Sequence, residues 1–168
     1  VNLYHAENKV GHSVFSTKRN VSSNYEKVEG IVFSDWLKEN VKDYKFTFNI
    51  IKVNIEGAEW YLFNDLVDSG INKHIDIYCG QGHDVEKVEE LSDKVDDYYK
   101  LLKDNDIYLH RFTEYLPQKN DDLVKIIKEK LKKYYQQIIE ALNQQISHYQ
   151  TKIEQLELKL SEHTEDLG

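Results

Sequence analysis

Acidic and amide side chains cluster near the middle of the chain, in the stretch IKVNIEGAEWYLF from Ile51 to Phe63. The first half of this stretch is apolar and β-branched, as in a strand, and the second half has the spacing of a helix. Asn54, Glu56 and Glu59 fall where the predicted strand ends. Because open α/β sheets bind ligands beyond the carboxyl ends of their strands, this position predicts a binding site.

The same stretch has a purely structural interpretation. Gly57 allows a tight strand-to-helix turn with unusual backbone angles. Glu56 and Glu59 complement the positive end of the helix dipole, and acidic first turns are common in helices. Spacing alone therefore leaves both interpretations open.

A second candidate lies after the next predicted strand, in the segment IDIYCGQGHD. A neutral imidazole can accept a proton from a hydroxyl near neutral pH, so His83 is a candidate general base. The alternative is a surface histidine that caps the following helix. The neighbouring Gly80-Gln81-Gly82 follows a strand and opens a helix, as a nucleotide-binding loop does, but Val85 stands where a dinucleotide fingerprint requires a third glycine.

Composition limits the classes of function. The chain has 168 residues, enough for one domain and an extension, and its net charge of -8 argues against nucleic-acid binding. Cys79 is the only cysteine, the histidines show no HExxH spacing, and no apolar run is long enough to cross a membrane. We therefore expect no metal site, no membrane span and a cytoplasmic location. The absence of methionine and the strand-like opening VNLYHA suggest a piece of a longer polypeptide, and a processed initiator residue before Val1 would explain them equally well.

The order of apolar patterns predicts an α/β fold. Helical segments fall between the later apolar runs, which indicates parallel βαβ units. The segment from residue 7 to 27 has no clear period and is interpreted as an irregular loop. The predicted strands cover residues 2–6, 28–33, 47–55, 74–79 and 106–112, and the predicted helices lie within residues 34–41, 58–70 and 84–105.

The last part of the chain carries only helical periodicity. A linker over residues 117–122, with the single proline at Pro117, separates it from the α/β region at 1–116. The helix predicted over 123–166 has apolar residues at alternating steps of three and four, the seam of a left-handed coiled coil, with one stutter near Ile138. We expect a homo-oligomer through this helix; the alternative is a helix that folds back onto its own domain. The seam comprises Val124, Ile127, Leu131, Tyr134, Ile138, Ile139, Leu142, Ile146, Tyr149, Ile153, Leu156 and Leu160.

The segment KVNIEGAEW resembles the KIDIEGAE signature of the FkbM-type methyltransferases. The similarity extends upstream through VNLYHAENKVGHSVFS and VEGIVFSDWLKENV, and downstream into IDIYCGQGHD. The resemblance implies a partial Rossmann-like methyltransferase sheet over residues 1–116. It also implies transfer of a methyl group from S-adenosylmethionine to the hydroxyl of a sugar or other small acceptor. In such an enzyme Glu56 and His83 would be catalytic, and Asn54, Glu59 and Trp60 would contact the acceptor.

Three departures from the family pattern shape this expectation. After the strand in IDIYCGQGHD, Gly80-Gln81-Gly82 stands where the family has an acidic residue, which leaves His83 as the match. Asn54 stands where the family has an aspartate, which removes a charge that could bind a metal or activate a hydroxyl. The glycine-rich loop and the acidic residue that hold the methyl donor in the family have no counterpart before the signature. We therefore expect the carboxyl-terminal portion of the domain, which by itself binds the donor weakly or not at all. The alternative is a non-catalytic assembly module that oligomerises through the terminal helix.

Overall fold

The computed structural model describes residues 1–7, 10–112 and 120–165. The chain divides into two compact units, Val1–Ile127 and Lys128–Gly168. The fold is mixed α/β, and three short 3₁₀ turns at Ile71–His74, Asp84–Lys87 and Glu89–Lys94 join its main elements. These elements are β1 (Asn2–Ala6), β2 (Val21–Lys27), α1 (Phe33–Asn40), β3 (Ile50–Val53), α2 (Glu59–Asp68), β4 (Ile77–Gly80), α3 (Val95–Asp104), β5 (Leu109–His110) and α4 (Asp121–Glu165).

A three-stranded parallel sheet in the order β3-β4-β5 organises the first unit. Ile51 lies opposite Tyr78, and Tyr78 lies opposite Leu109. The crossovers through α2 and α3 confirm the predicted parallel βαβ arrangement. The strands are shorter than predicted. At its amino end β3 begins only at Ile50, because the side-chain amide of Asn49 donates to the carbonyl oxygens of Tyr44 at 2.5 Å and His74 at 2.7 Å.

The prediction for the second strand was wrong. Residues 28–32 form no strand, and β2 instead occupies Val21–Lys27, inside the segment interpreted as an irregular loop. This strand pairs antiparallel with β1, and the rings of Tyr4 and Tyr25 lie 5.4 Å apart across the pair. Because β2 is polar and largely exposed, it lacks the alternation that burial imposes on a strand. Its pairing partner, not its composition, selects its conformation.

Apolar side chains cover both faces of the parallel sheet. Phe63 of α2 and Tyr98 of α3 pack in a large cluster with Val53 of β3. In a second cluster, Leu123 in the first turn of α4 packs with Ile77 and Cys79 of β4. The start of α4 therefore belongs to the core of the first unit.

A single helix, α4, forms most of the carboxyl-terminal region, as its periodicity predicts. It begins at Asp121, inside the predicted linker, and residues 117–119 of that linker lie outside the described residues. From Ile139 onward, the apolar seam positions are 52% to 67% exposed. These positions are Ile139, Leu142, Ile146, Tyr149, Ile153, Leu156 and Leu160.

Candidate functional site at the carboxyl edge of the parallel sheet

The junction between β3 and α2 has an unusual backbone. Glu56 adopts a left-handed conformation with φ of 57°, and Gly57 follows with φ of 105°. A Cβ at Gly57 would lie 2.6 Å from Cγ2 of Val88, so only glycine is accommodated there. A left-handed glutamate is uncommon and persists only where surrounding contacts hold it.

A buried ion pair supplies one of those contacts. The ammonium of Lys18 lies 2.5 Å from Oε2 of Glu56, and the Lys18 side chain is only 1% exposed. Lys18 also donates to Oδ1 of Asn20 at 2.8 Å and to the carbonyl oxygen of Gly11 at 3.3 Å. The hydroxyl of Ser13 donates to the carbonyl oxygen of Glu56 at 2.7 Å. The loop between β1 and β2 therefore fixes the position of Glu56.

Glu59 is completely buried and holds the junction from the other side. Its Oε1 accepts from the amide of Ile55 at 3.1 Å, and its Oε2 accepts from the amide of Gly57 at 2.6 Å. Burial raises the pKa of the Glu59 carboxyl, the backbone hydrogen bonds act in the opposite direction, and the charge of Asp84 adds to the increase. Both carboxylate oxygens of Glu59 therefore accept hydrogen bonds from the backbone of the junction.

The other two candidates of the signature lie apart from this network. Asn54 is exposed directly after β3, and Trp60 is partly buried against the core. Beside β3 lies a largely apolar cavity of about 940 Å³, and its wall includes Tyr61 instead of Trp60. The ring of Tyr61 stacks on Phe15 with centroids 5.5 Å apart.

His83 lines a different cavity, of about 510 Å³, at the carboxyl ends of β4 and β5. It occupies the N-cap position of the turn Asp84–Lys87, but its side chain makes no capping hydrogen bond. Its Nε2 lies 3.7 Å from Oδ1 of the buried Asp84, which is also paired with Lys87. The imidazole, 52% exposed, is therefore accessible to a ligand in the cavity.

The close approach of the carboxyl ends of β3 and β4 depends on Gly80. Its φ is 121°, and a Cβ at this position would lie 1.9 Å from the carbonyl oxygen of Val53. The amide of Gln81 donates to that same oxygen at 2.9 Å. The segment that carries His83 is thereby tied to the end of β3, although Glu56 is not among the residues that line the His83 cavity.

Sequence reasoning missed two residues of this cavity, Tyr98 and Arg111. Tyr98 lies on α3 and is fully buried, and its local sequence does not distinguish it from an ordinary packing residue. Arg111 directly follows β5, so the rule that pointed to Asn54 and His83 could also have found it.

Across residues 1–7, 10–112 and 120–165, no cluster of three or more histidine, cysteine, aspartate or glutamate residues is arranged to hold a metal ion. In the same ranges, every helix is too short or too polar to cross a membrane.

The chain matches no protein-family model, and no curated protein and no solved structure is significantly similar to it. The described residues themselves define the class of protein by its fold: a mixed α/β protein with a three-stranded parallel sheet and a long terminal helix.

Proposed function

We propose that the first unit is part of an FkbM-like methyltransferase domain that modifies a hydroxyl group of a small acceptor. The observation that carries the proposal is the placement of the signature IEGAE. It forms a strained turn at the carboxyl end of a parallel strand, the edge where open α/β sheets bind ligands. The sequence resemblance supplies the reaction.

In this proposal the two catalytic candidates have separate tasks. His83, exposed and free of capping bonds, accepts the proton that the acceptor hydroxyl loses. Glu56 is oriented by Lys18 through Oε2, while its Oε1 has no hydrogen-bond partner in the part of the chain that the structure describes. That oxygen can receive another polar group of the acceptor and so orient the acceptor for transfer. Glu59 acts as a positioning residue, and Asn54 and Trp60 contribute to the acceptor side.

S-adenosylmethionine would supply an electrophilic methyl group when bound, but the described residues do not form its site. Gly80-Gln81-Gly82 leads into the 3₁₀ turn Asp84–Lys87, which has only four residues and cannot replace the helix after a glycine-rich loop. Within the described ranges β3 pairs only with β4, and the apolar cavity of about 940 Å³ lies beside β3. An unprotected edge of a parallel sheet is uncommon. We place the donor-binding unit in additional polypeptide that pairs with this edge.

Calorimetry with S-adenosylmethionine tests the proposal. The isolated chain should show no low-micromolar binding, since the donor's carboxylate and ribose lack their partners. A polypeptide that adds a glycine-rich strand-turn-helix unit before Val1 should bind the donor and methylate hydroxyl acceptors. In that polypeptide His83→Gln should lower the rate about 100-fold or more, whereas His148→Gln, on the exposed face of α4, should not. Low-micromolar binding by the chain alone, or full activity of His83→Gln, would contradict the proposal.

A second candidate function is assembly through α4. In the second unit, the seam residues Leu142, Ile146 and Tyr149 are each more than half exposed. Their spacing is that of a coiled coil, in which such residues are buried against a partner helix. Another copy of the chain has the same seam and is the proposed partner.

Sedimentation of the intact chain tests this assembly. At tens of micromolar the chain should sediment as an oligomer, and Ile146→Lys should shift it towards monomer by placing a charge in the seam. Gln144→Lys adds the same charge off the seam and should leave the oligomer intact. A monomeric wild-type chain at these concentrations would end the coiled-coil proposal and favour a helix folded onto its own domain.

A further inference from the structure

The cavity at the carboxyl ends of β4 and β5 has the size and chemistry of a ligand site. Its volume of about 510 Å³ lies within the range of roughly 300 to 1,000 Å³ typical of small-molecule pockets. Leucine and tyrosine side chains form its apolar walls, and none of the described residues that line it carries a carboxylate. The lining comprises Gly80, Gln81, Gly82, His83, Tyr98, Tyr99, Leu102, Leu109 and Arg111.

Arg111 is a permanent cation in this cavity without a carboxylate partner in the described part of the chain. Because the chain has 30 acidic and only 22 basic residues, a cation without a carboxylate partner is notable, and nearby lysines do have such partners. Lys18 pairs with Glu56 and Lys87 with Asp84, both at 2.5 Å. The planar guanidinium carries five N–H donors and can bind a carboxylate or phosphate through two parallel hydrogen bonds.

Tyr98 adds a buried donor group beside the same cavity. Its hydroxyl is shielded from solvent and has no hydrogen-bond partner among the described residues. Burial raises the pKa of Tyr98, so the phenol remains protonated. The hydroxyl lies under the loop, since a Cβ at Gly82 would come within 2.9 Å of it. By contrast, the hydroxyl of Tyr99 donates to Glu86.

We propose that this cavity binds a small organic anion, a carboxylate or a phosphate ester on a ring-sized apolar body. The anionic group pairs with Arg111, and the apolar body lies between Leu102, Leu109 and the tyrosine rings. His83 contacts the polar end of the ligand and adds positive charge when it is protonated. The assignment does not depend on methyl transfer, because binding of the anion needs no methyl donor.

Three probes of similar size separate the contributions: phenyl phosphate, benzoate and the neutral benzyl alcohol. Each is titrated into the intact chain and followed by amide NMR shifts and calorimetry. The two anions should shift the amides of residues 80–83 and 111, and should bind at least tenfold more tightly than benzyl alcohol. A charge-assisted hydrogen bond is typically worth about a tenfold to hundredfold change in affinity.

Two arginine variants complete the test, because Arg19 and Arg111 are the only arginines of the chain. Arg111→Gln should weaken binding of both anions at least tenfold and leave benzyl alcohol unaffected. Arg19→Gln, at another exposed position, should change neither. Unchanged tryptophan fluorescence and urea midpoint would show that both variants fold. Equal anion binding by Arg111→Gln and wild type, equal binding of all three probes, or no binding of the anions would each overturn the proposal.

Discussion

Replacement of Glu56 by glutamine should destabilise the first unit, because it leaves the ammonium of Lys18 buried without a countercharge. Lys18 is 1% exposed and Glu56 is 23% exposed. Glutamine has the same difficulty as glutamate in adopting the left-handed backbone conformation, and it preserves the hydrogen bond from the Ser13 hydroxyl to the carbonyl oxygen of residue 56. The substitution therefore isolates the charge.

The magnitude follows from the burial of the pair. Removing one partner of a buried ion pair costs about 3 to 5 kcal/mol. Glutamine still offers an oxygen to Lys18, so we expect a smaller cost than this range, about 2 to 3 kcal/mol. With an ordinary m-value, the urea midpoint should fall by about 1 to 2 M.

Urea unfolding followed by tryptophan fluorescence measures this change, since both tryptophans, Trp36 and Trp60, lie in the first unit. Glu29→Gln, at an exposed position without an ion pair among the described residues, is the matched control and should stay within about 0.5 kcal/mol of wild type. In a Lys18→Met background, Glu56→Gln should cost at least about 1 kcal/mol less than it does alone. Additive single changes, or a Glu56→Gln midpoint equal to that of wild type, would refute the reasoning.

Three further results are expected. Gly80→Ala should prevent folding of the first unit, because its Cβ would meet the carbonyl oxygen of Val53 at 1.9 Å; Gly70→Ala, at φ of 72° with open space around it, should cost only about 1 to 2 kcal/mol in a thermal melt. The raised pKa of Glu59 means that the folded state holds this proton more tightly than the unfolded state, so its contribution to stability is present at acid pH and is lost as pH rises through the folded pKa. Unfolding free energies between pH 4 and 8 should therefore fall more steeply for wild type than for Glu59→Gln, and parallel curves would contradict this. Burial raises the pKa of the Cys79 thiol, so a thiol reagent at pH 8 should label the native chain far more slowly than the urea-unfolded chain; equal rates would show an accessible thiol.

Elements with a strong internal period were predictable from the residues. The steps of three and four predicted α4 as one helix, and alternating strands and helices predicted the parallel sheet of β3, β4 and β5. The antiparallel pair of β1 and β2 was not predictable, because β2 is polar and exposed and its conformation depends on β1. The predicted start of β3 was wrong for a similar reason, since the hydrogen bond from Asn49 to His74 joins residues that are distant in the chain.

For the candidate site too, some features could be predicted from local sequence and others could not. The residue types and their order placed Asn54, Glu56 and His83 at strand ends, which local spacing alone can indicate. The partner of Glu56 is 38 residues away in the chain, and no local pattern connects them.

The amino-acid order thus determined which segments form helices and parallel strands, and which polar side chains fall at the ends of β3 and β4. The tertiary structure alone decided that Glu56 pairs with Lys18, that Glu59 is buried, and that Arg111 shares a cavity with His83. The physical reason is the range of the interactions. Periodicity records which face of an element is buried, whereas charge pairing, desolvation and cavity walls arise only when packing brings distant segments together.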